Sequence, residues 1–92
     1  MDALFHQNPE VETSPIQEEL IVFNPRSGKF CILNQTSTSI WTLLKIPCST
    51  EQMAEAITRT YGGVDIGQAR QDVELMLQEM LNLELVVQEN SL

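Results

Sequence analysis

The chain has 92 residues, room for one domain and not two. An apolar fraction of 42% is enough for a modest core and excludes disorder of the whole chain. With 5 basic against 13 acidic residues and a net charge of -8, it makes a poor footprint for nucleic acid, whose phosphates are held by Lys and Arg.

Residues 1–9 are polar and end at the Asn8-Pro9 breaker, so they are expected to form a flexible N-terminal tail. They lack the basic and apolar regions of a signal peptide. No later apolar run approaches the ~20 residues of a membrane span, so the expectation is a soluble, cytoplasmic protein with reduced thiols. Glu10–Thr13 can form a short strand, which Pro15 interrupts. Residues 18–24, EELIVFN, are rich in β-branched and aromatic side chains and read as a strand. Asn24-Pro25-Arg26-Ser27-Gly28 is a turn signal, and Lys29–Leu33, KFCIL, is the returning strand of a β-hairpin. Strand alternation points Phe30 and Ile32 one way, Cys31 and Leu33 the other.

The hydrophobic period then becomes helical. Ile40, Trp41 and Leu44 mark a first helix, capped by Asn34 or by one of the hydroxyls at 36 to 38 and ended by Pro47. Trp41 is expected to pack between the sheet and the later helices. Ser49 followed by Gln52 is a capping-box pattern that opens a second helix with Met53, Ala54, Ile57 and Tyr61 on its apolar face; Gly62-Gly63 stops it. Asp65 can cap a third helix with the stripe Ile66, Ala69, Val73, Met76, Leu77, Met80 and Leu81. Residues 83–89, LELVVQE, read as a helix end or a short final strand, and 89–92 as a C-terminal tail. The order is that of an α+β domain: an N-terminal three-stranded antiparallel sheet packed on three α-helices, in a shape like a winged helix-turn-helix.

Little in this sequence can do chemistry. The one histidine, His6, falls in the expected tail, and the hydroxyls at 36 to 42 have no accompanying base. Asp72 and Glu74 are two apart on a helix, so they do not face each other. The segment from Gly62 to Gly67 lacks the Lys-Ser/Thr of a phosphate-binding loop. Cys31 and Cys48 have no zinc-ligand spacing, and a disulfide between them stays open. No catalytic residue, metal site or cofactor is expected. A DNA-binding helix needs basic charge, and the third helix offers only Arg70 among Asp65, Asp72, Glu74 and Glu79.

The ordered set Leu33-Asn34, Ile40-Trp41 with Leu43-Leu44, Thr50, Met53-Ala54, Ile57, Tyr61, Asp72-Val73, Met76-Leu77 and Leu85-Val86 resembles the PqqD-like family. These are small peptide-recognition domains of ribosomal peptide natural product pathways. The resemblance spans roughly residues 10 to 87, and the recognition domain is expected over 10–88. Three positions depart from the family pattern: Ser37 stands for a small Gly or Ala, Lys45-Ile46 for an Asp-Gly turn, and Glu84 for a Gly before the last apolar pair. All three read as turn or cap positions outside the binding surface.

The resemblance implies that a leader peptide adds as a further strand beside KFCIL and against the third helix. The peptide-binding residues are then Lys29, Phe30, Cys31, Ile32 and Leu33 on the edge, with Asp72, Leu75, Met76 and Glu79 as the helical wall. An acidic wall would favour a leader carrying Lys or Arg. The implied protein is a non-catalytic recognition element. It presents a precursor peptide to a separate leader peptidase or radical or other modifying enzyme, in a lasso peptide or PQQ-like pathway, without nucleic acid or membrane partners. A winged-helix DNA-binding regulator and a small structural subunit of an enzyme complex are the rival readings.

Overall fold

In the computed structural model, which describes residues 3–90, three helices pack against antiparallel sheets. The element order is β1 (Ala3–Gln7), β2 (Glu12–Ile16), β3 (Glu19–Phe23), β4 (Phe30–Leu33), α1 (Gln35–Leu43), α2 (Thr50–Thr60), α3 (Ile66–Asn82) and β5 (Val86–Asn90). The domain is α+β, as its sequence implies. The strands, however, form two sheets: β2-β3-β4 in sequence order, and a separate pair, β1-β5.

That second sheet corrects the expected tails. Ala3 pairs with Asn90 and Gln7 with Val86, so residues 3–7 and 89–90 belong to the domain. Phe5 is buried in the core and bridges to Cys48, its amide donating to the Cys48 carbonyl at 2.9 Å. His6 is not a loose tail residue; its Nε2 lies 3.3 Å from Glu89 Oε2. Met1, Asp2, Ser91 and Leu92 lie outside the described residues.

Pro15 does not interrupt the first sheet; it sits within β2. Two-residue turn Gln17-Glu18 closes on the pair Ile16–Glu19, with Gln17 at a positive φ of 56°. In such a hairpin the closing pair is hydrogen-bonded, and alternation then turns the Pro15 nitrogen to the free edge, where no N–H is needed. The β3–β4 turn closes with Gly28 at φ 77°. Asn24, 3% exposed, organises it: its Oδ1 accepts from the Arg26 and Ser27 amides at 2.9 and 3.3 Å, and its Nδ2 donates to the Glu84 carbonyl at 2.8 Å. Asn8 Nδ2 donates to the same carbonyl at 3.0 Å, so the hairpin, the end of β1 and the α3–β5 turn meet at Glu84. Glu84 holds φ 60°, a left-handed backbone that favours glycine.

The helices begin where the capping residues place them. Asn34 accepts from the Ser37 amide, Asp65 from the Gly67 and Gln68 amides, and Ser49 with Gln52 completes the reciprocal capping box. The core joins Val22 and Leu33 of the sheet to Ile40, Trp41, Met53, Ala54, Ile57, Val73, Leu77 and Met80 of the helices. Trp41, 4% exposed, lies inside it. Both cysteines are free thiols. No helix among the described residues is long and apolar enough to cross a membrane.

Candidate functional site

The strand β4 is an edge strand of its sheet, paired only with β3. The Asn24 amide donates to the Lys29 carbonyl at 2.9 Å, which makes 24–29 a hydrogen-bonded pair. Antiparallel ladders alternate. In the register Val22–Cys31 and Leu20–Leu33, Lys29, Cys31 and Leu33 therefore spend their main-chain groups on β3. The N–H and C=O of Phe30 and Ile32 point to the open edge. The opposite edge of the same sheet is β2, where Pro15 removes a donor and Glu12 adds charge, both common devices against strand pairing. The β4 edge carries neither.

Beside that open edge runs α3. Its stripe Ala69, Val73, Leu77 and Met80 is buried, and the neighbouring stripe through Leu75, Met76 and Glu79 faces β4. The two elements enclose a groove of about 270 Å³ lined by Cys31, Ile32, Leu33, Ser37, Leu75, Met76, Glu79 and Met80. Leu33 and Met80 are buried at its base, while Ile32 and Leu75 on its rims are 53% and 61% exposed. Within it, the Cys31 thiol donates a long hydrogen bond to Glu79 Oε1 at 3.8 Å. Partial burial, with the Glu79 carboxylate second, pushes the Cys31 pKa above its ordinary value. The groove is thus apolar with one carboxylate, and its thiol is held neutral. A larger hollow of about 780 Å³ is lined by Gln17, Glu18, Glu19, Asn34 and Gln35. It has no apolar anchor and no open strand edge, so the smaller groove is the better candidate.

Of the residues singled out in the sequence, Cys31, Ile32, Leu33, Leu75, Met76 and Glu79 come together here. Three do not line the groove. Phe30 is 57% exposed on the outer face of the sheet and adjoins the edge through its main chain alone. Lys29 Nζ lies 3.5 Å from Glu84 Oε2. Asp72, one turn before Leu75, accepts from Gln68 Nε2 at 2.9 Å. Ser37 and Met80 were missed. Met80 belongs to the helical stripe that reads as core. Ser37 reads as a cap-region hydroxyl, and it lines the groove from the start of α1.

Among the described residues, no three His, Cys, Asp or Glu side chains gather as metal ligands. Arg70, the basic residue of α3, is held bidentately by Glu51, with Nε and Nη2 at 2.6 and 3.0 Å from its two carboxylate oxygens. Arg26 likewise meets Glu10 at 3.0 Å.

The family model for coenzyme PQQ synthesis protein D (PqqD) matches residues 19–86. The chain is similar to the solved structure of TbiB1 in complex with the TbiA(beta) leader peptide. The two share 25% sequence identity with a TM-score of 0.77, over 88% of this chain and 93% of that one. It is also similar to lasso peptide synthetase B1 complexed with the leader peptide, at 22% identity and a TM-score of 0.77, over 90% of this chain and 96% of that one; at that identity the likeness speaks to the fold alone. No curated protein matches the chain.

Proposed function

The chain belongs to the PqqD family, and from that premise we propose that it recognises the leader region of a ribosomally synthesised precursor peptide. The leader adds as a strand to β4 and is handed to a separate leader peptidase or modifying enzyme of a lasso peptide or PQQ-like pathway. The observation that carries this reading is the open β4 edge beside an apolar groove. β-augmentation needs free main-chain groups, which Phe30 and Ile32 supply, and pockets for alternate side chains, which the α3 wall supplies. A structural relative at 25% identity, described as a complex with a leader peptide, supports the same ligand class.

The chain acts without catalysing a reaction itself. The groove's titratable groups are one neutral thiol and one carboxylate, which do not make an activated nucleophile with its base. Turnover of a precursor by the purified chain alone, abolished by a single Ser or His substitution, would refute this. The DNA-binding reading of the winged-helix-like shape lacks support, because three of the five basic residues are engaged by carboxylates, Arg70 of α3 among them.

The test is amide exchange and NMR titration of the labelled domain with the leader of its own precursor. The Phe30 and Ile32 amides exchange freely in the unbound protein and become protected on binding. Shifts cluster over residues 29–37 and 75–80. Clustering on α2 around Glu51–Thr58 would instead show that the groove is misassigned.

A further inference from the structure

The groove carries one charge, and no cation among the described residues answers it. Glu79 lies in the lining between Met76 and Met80, and no cationic side chain pairs with it among the described residues, whereas Glu10, Glu51, Glu84 and Glu89 each meet a basic group. An unpaired carboxylate on an apolar wall costs nothing while water reaches it. Once a docked chain excludes water, it asks for a positive group.

Strand geometry says where that group must be. Side chains of an added strand alternate in step with those of β4. Cys31 and Leu33 turn their side chains into the groove, while Phe30 and Ile32 lie on the exposed face of the strand, Ile32 meeting the groove only at its rim. Peptide residues opposite Cys31 and Leu33 therefore point at α3, and their neighbours point away. The Cys31 sulfur lies 3.8 Å from Glu79 Oε1, so the peptide side chain beside Cys31 meets the carboxylate. The side chain beside Leu33, two residues away, meets the apolar base formed with Met80. In an antiparallel strand the partner of Leu33 precedes the partner of Cys31.

We propose that Glu79 makes this groove selective for an extended segment of the form apolar-x-Lys/Arg, the cation lying against Glu79 and the apolar side chain two residues before it against Leu33 and Met80. A long basic side chain suits the place, since its methylenes cover Leu75 and Met76 while its head reaches the carboxylate. The inference rests on the leader-binding reading and narrows its ligand from any apolar strand to one with a charge at a fixed spacing. Asp72, a turn away and bonded to Gln68, has no part in it.

The experiment selects binders from a displayed library of random twelve-residue peptides on the wild-type chain and on Glu79→Gln and Glu79→Lys variants. The best binder and its norleucine analogue at the basic position are then compared by fluorescence anisotropy. Residue 79 is exposed, so both variants fold. Wild type enriches apolar-x-Lys/Arg. Glu79→Gln weakens the basic peptide by up to about fivefold and leaves the norleucine analogue bound as well as before or better. Glu79→Lys moves the preference at that position to Asp or Glu. Binders that protect the Phe30 and Ile32 amides yet show no basic preference, or one that survives Glu79→Gln, overturn the inference and leave leader binding standing. The reversed order, basic-x-apolar, overturns the antiparallel placement. A library that yields no peptide protecting those amides removes the underlying reading as well.

Discussion

Leu75 and Leu77 are two residues apart on one helix and offer the sharpest test of the groove. Leu75 is 61% exposed on the wall, and Leu77 is 3% exposed in the core. Leu77→Ala should cost ~2–5 kcal/mol through lost transfer energy and a cavity, against a total of about 5–14 kcal/mol for a 92-residue chain. Its melting temperature should drop by about 10 °C or more. Leu75→Ala removes little that is packed in the free protein, so stability should stay within ~0.5 kcal/mol. Covering Leu75 with a docked strand is a different matter. Full burial of a leucine contributes ~1.5–3 kcal/mol, and the part still exposed corresponds to about 1–2 kcal/mol, or roughly 5- to 30-fold in Kd. Denaturant melts read through Trp41, the chain's one tryptophan, give the first quantity, and anisotropy of a labelled leader gives the second. A Leu75→Ala variant that binds leader like wild type would refute the groove assignment. One that melts as early as Leu77→Ala would show that the α3 wall is part of the core.

Trp41→Ala should cost ~3–5 kcal/mol in melts followed by far-ultraviolet circular dichroism, since Trp41 is 4% exposed inside the cluster; a melt that barely moves would place it at the surface. Cys31 should alkylate with iodoacetamide more slowly in mildly alkaline buffer than an ordinary exposed thiol, because burial, with Glu79 second, holds its pKa above the usual thiol value. Glu79→Gln should shift the pH–rate profile down, and an unchanged profile would dissociate the two groups. The folded pKa is the raised one, so the neutral thiol's contribution to stability is whole below the unfolded value and is lost as pH climbs through the folded value. Glu84→Gly should stabilise by ~0.5–1 kcal/mol, relief of a left-handed backbone at φ 60° outweighing the added chain entropy and the loss of an exposed ion pair with Lys29. A destabilised variant would mean that this pair matters more than the backbone.

What was legible in the sequence was local. Asn34, Ser49 and Asp65 announce their helices because a cap acts within three residues, and the turn from Asn24 to Gly28 announces its hairpin for the same reason. β1 was not legible, since its partner β5 lies at the other end of the chain and the five residues ALFHQ are too few to show a strand period of their own. Pro15 looks like a break because sequence does not reveal that β2 is an edge whose outward nitrogen needs no proton. For the site, helical period alone groups Asp72 with Leu75, Met76 and Glu79. Where β4 ends decides that the groove runs over 75–80 and that Ser37, just past the strand, joins it.

Only two residues of β4 present free main-chain groups, which limits what the edge alone can hold. Phe30 and Ile32 offer at most four main-chain hydrogen bonds within the strand. At ~0.5–1.5 kcal/mol net each these contribute about 2–6 kcal/mol, while immobilising a peptide costs about 4–15 kcal/mol before any ordering of its side chains. An extended chain with nothing to place in the groove therefore slips off. Among a crowd of other extended segments, the short strand keeps the domain vacant for the few sequences whose side chains make up the difference.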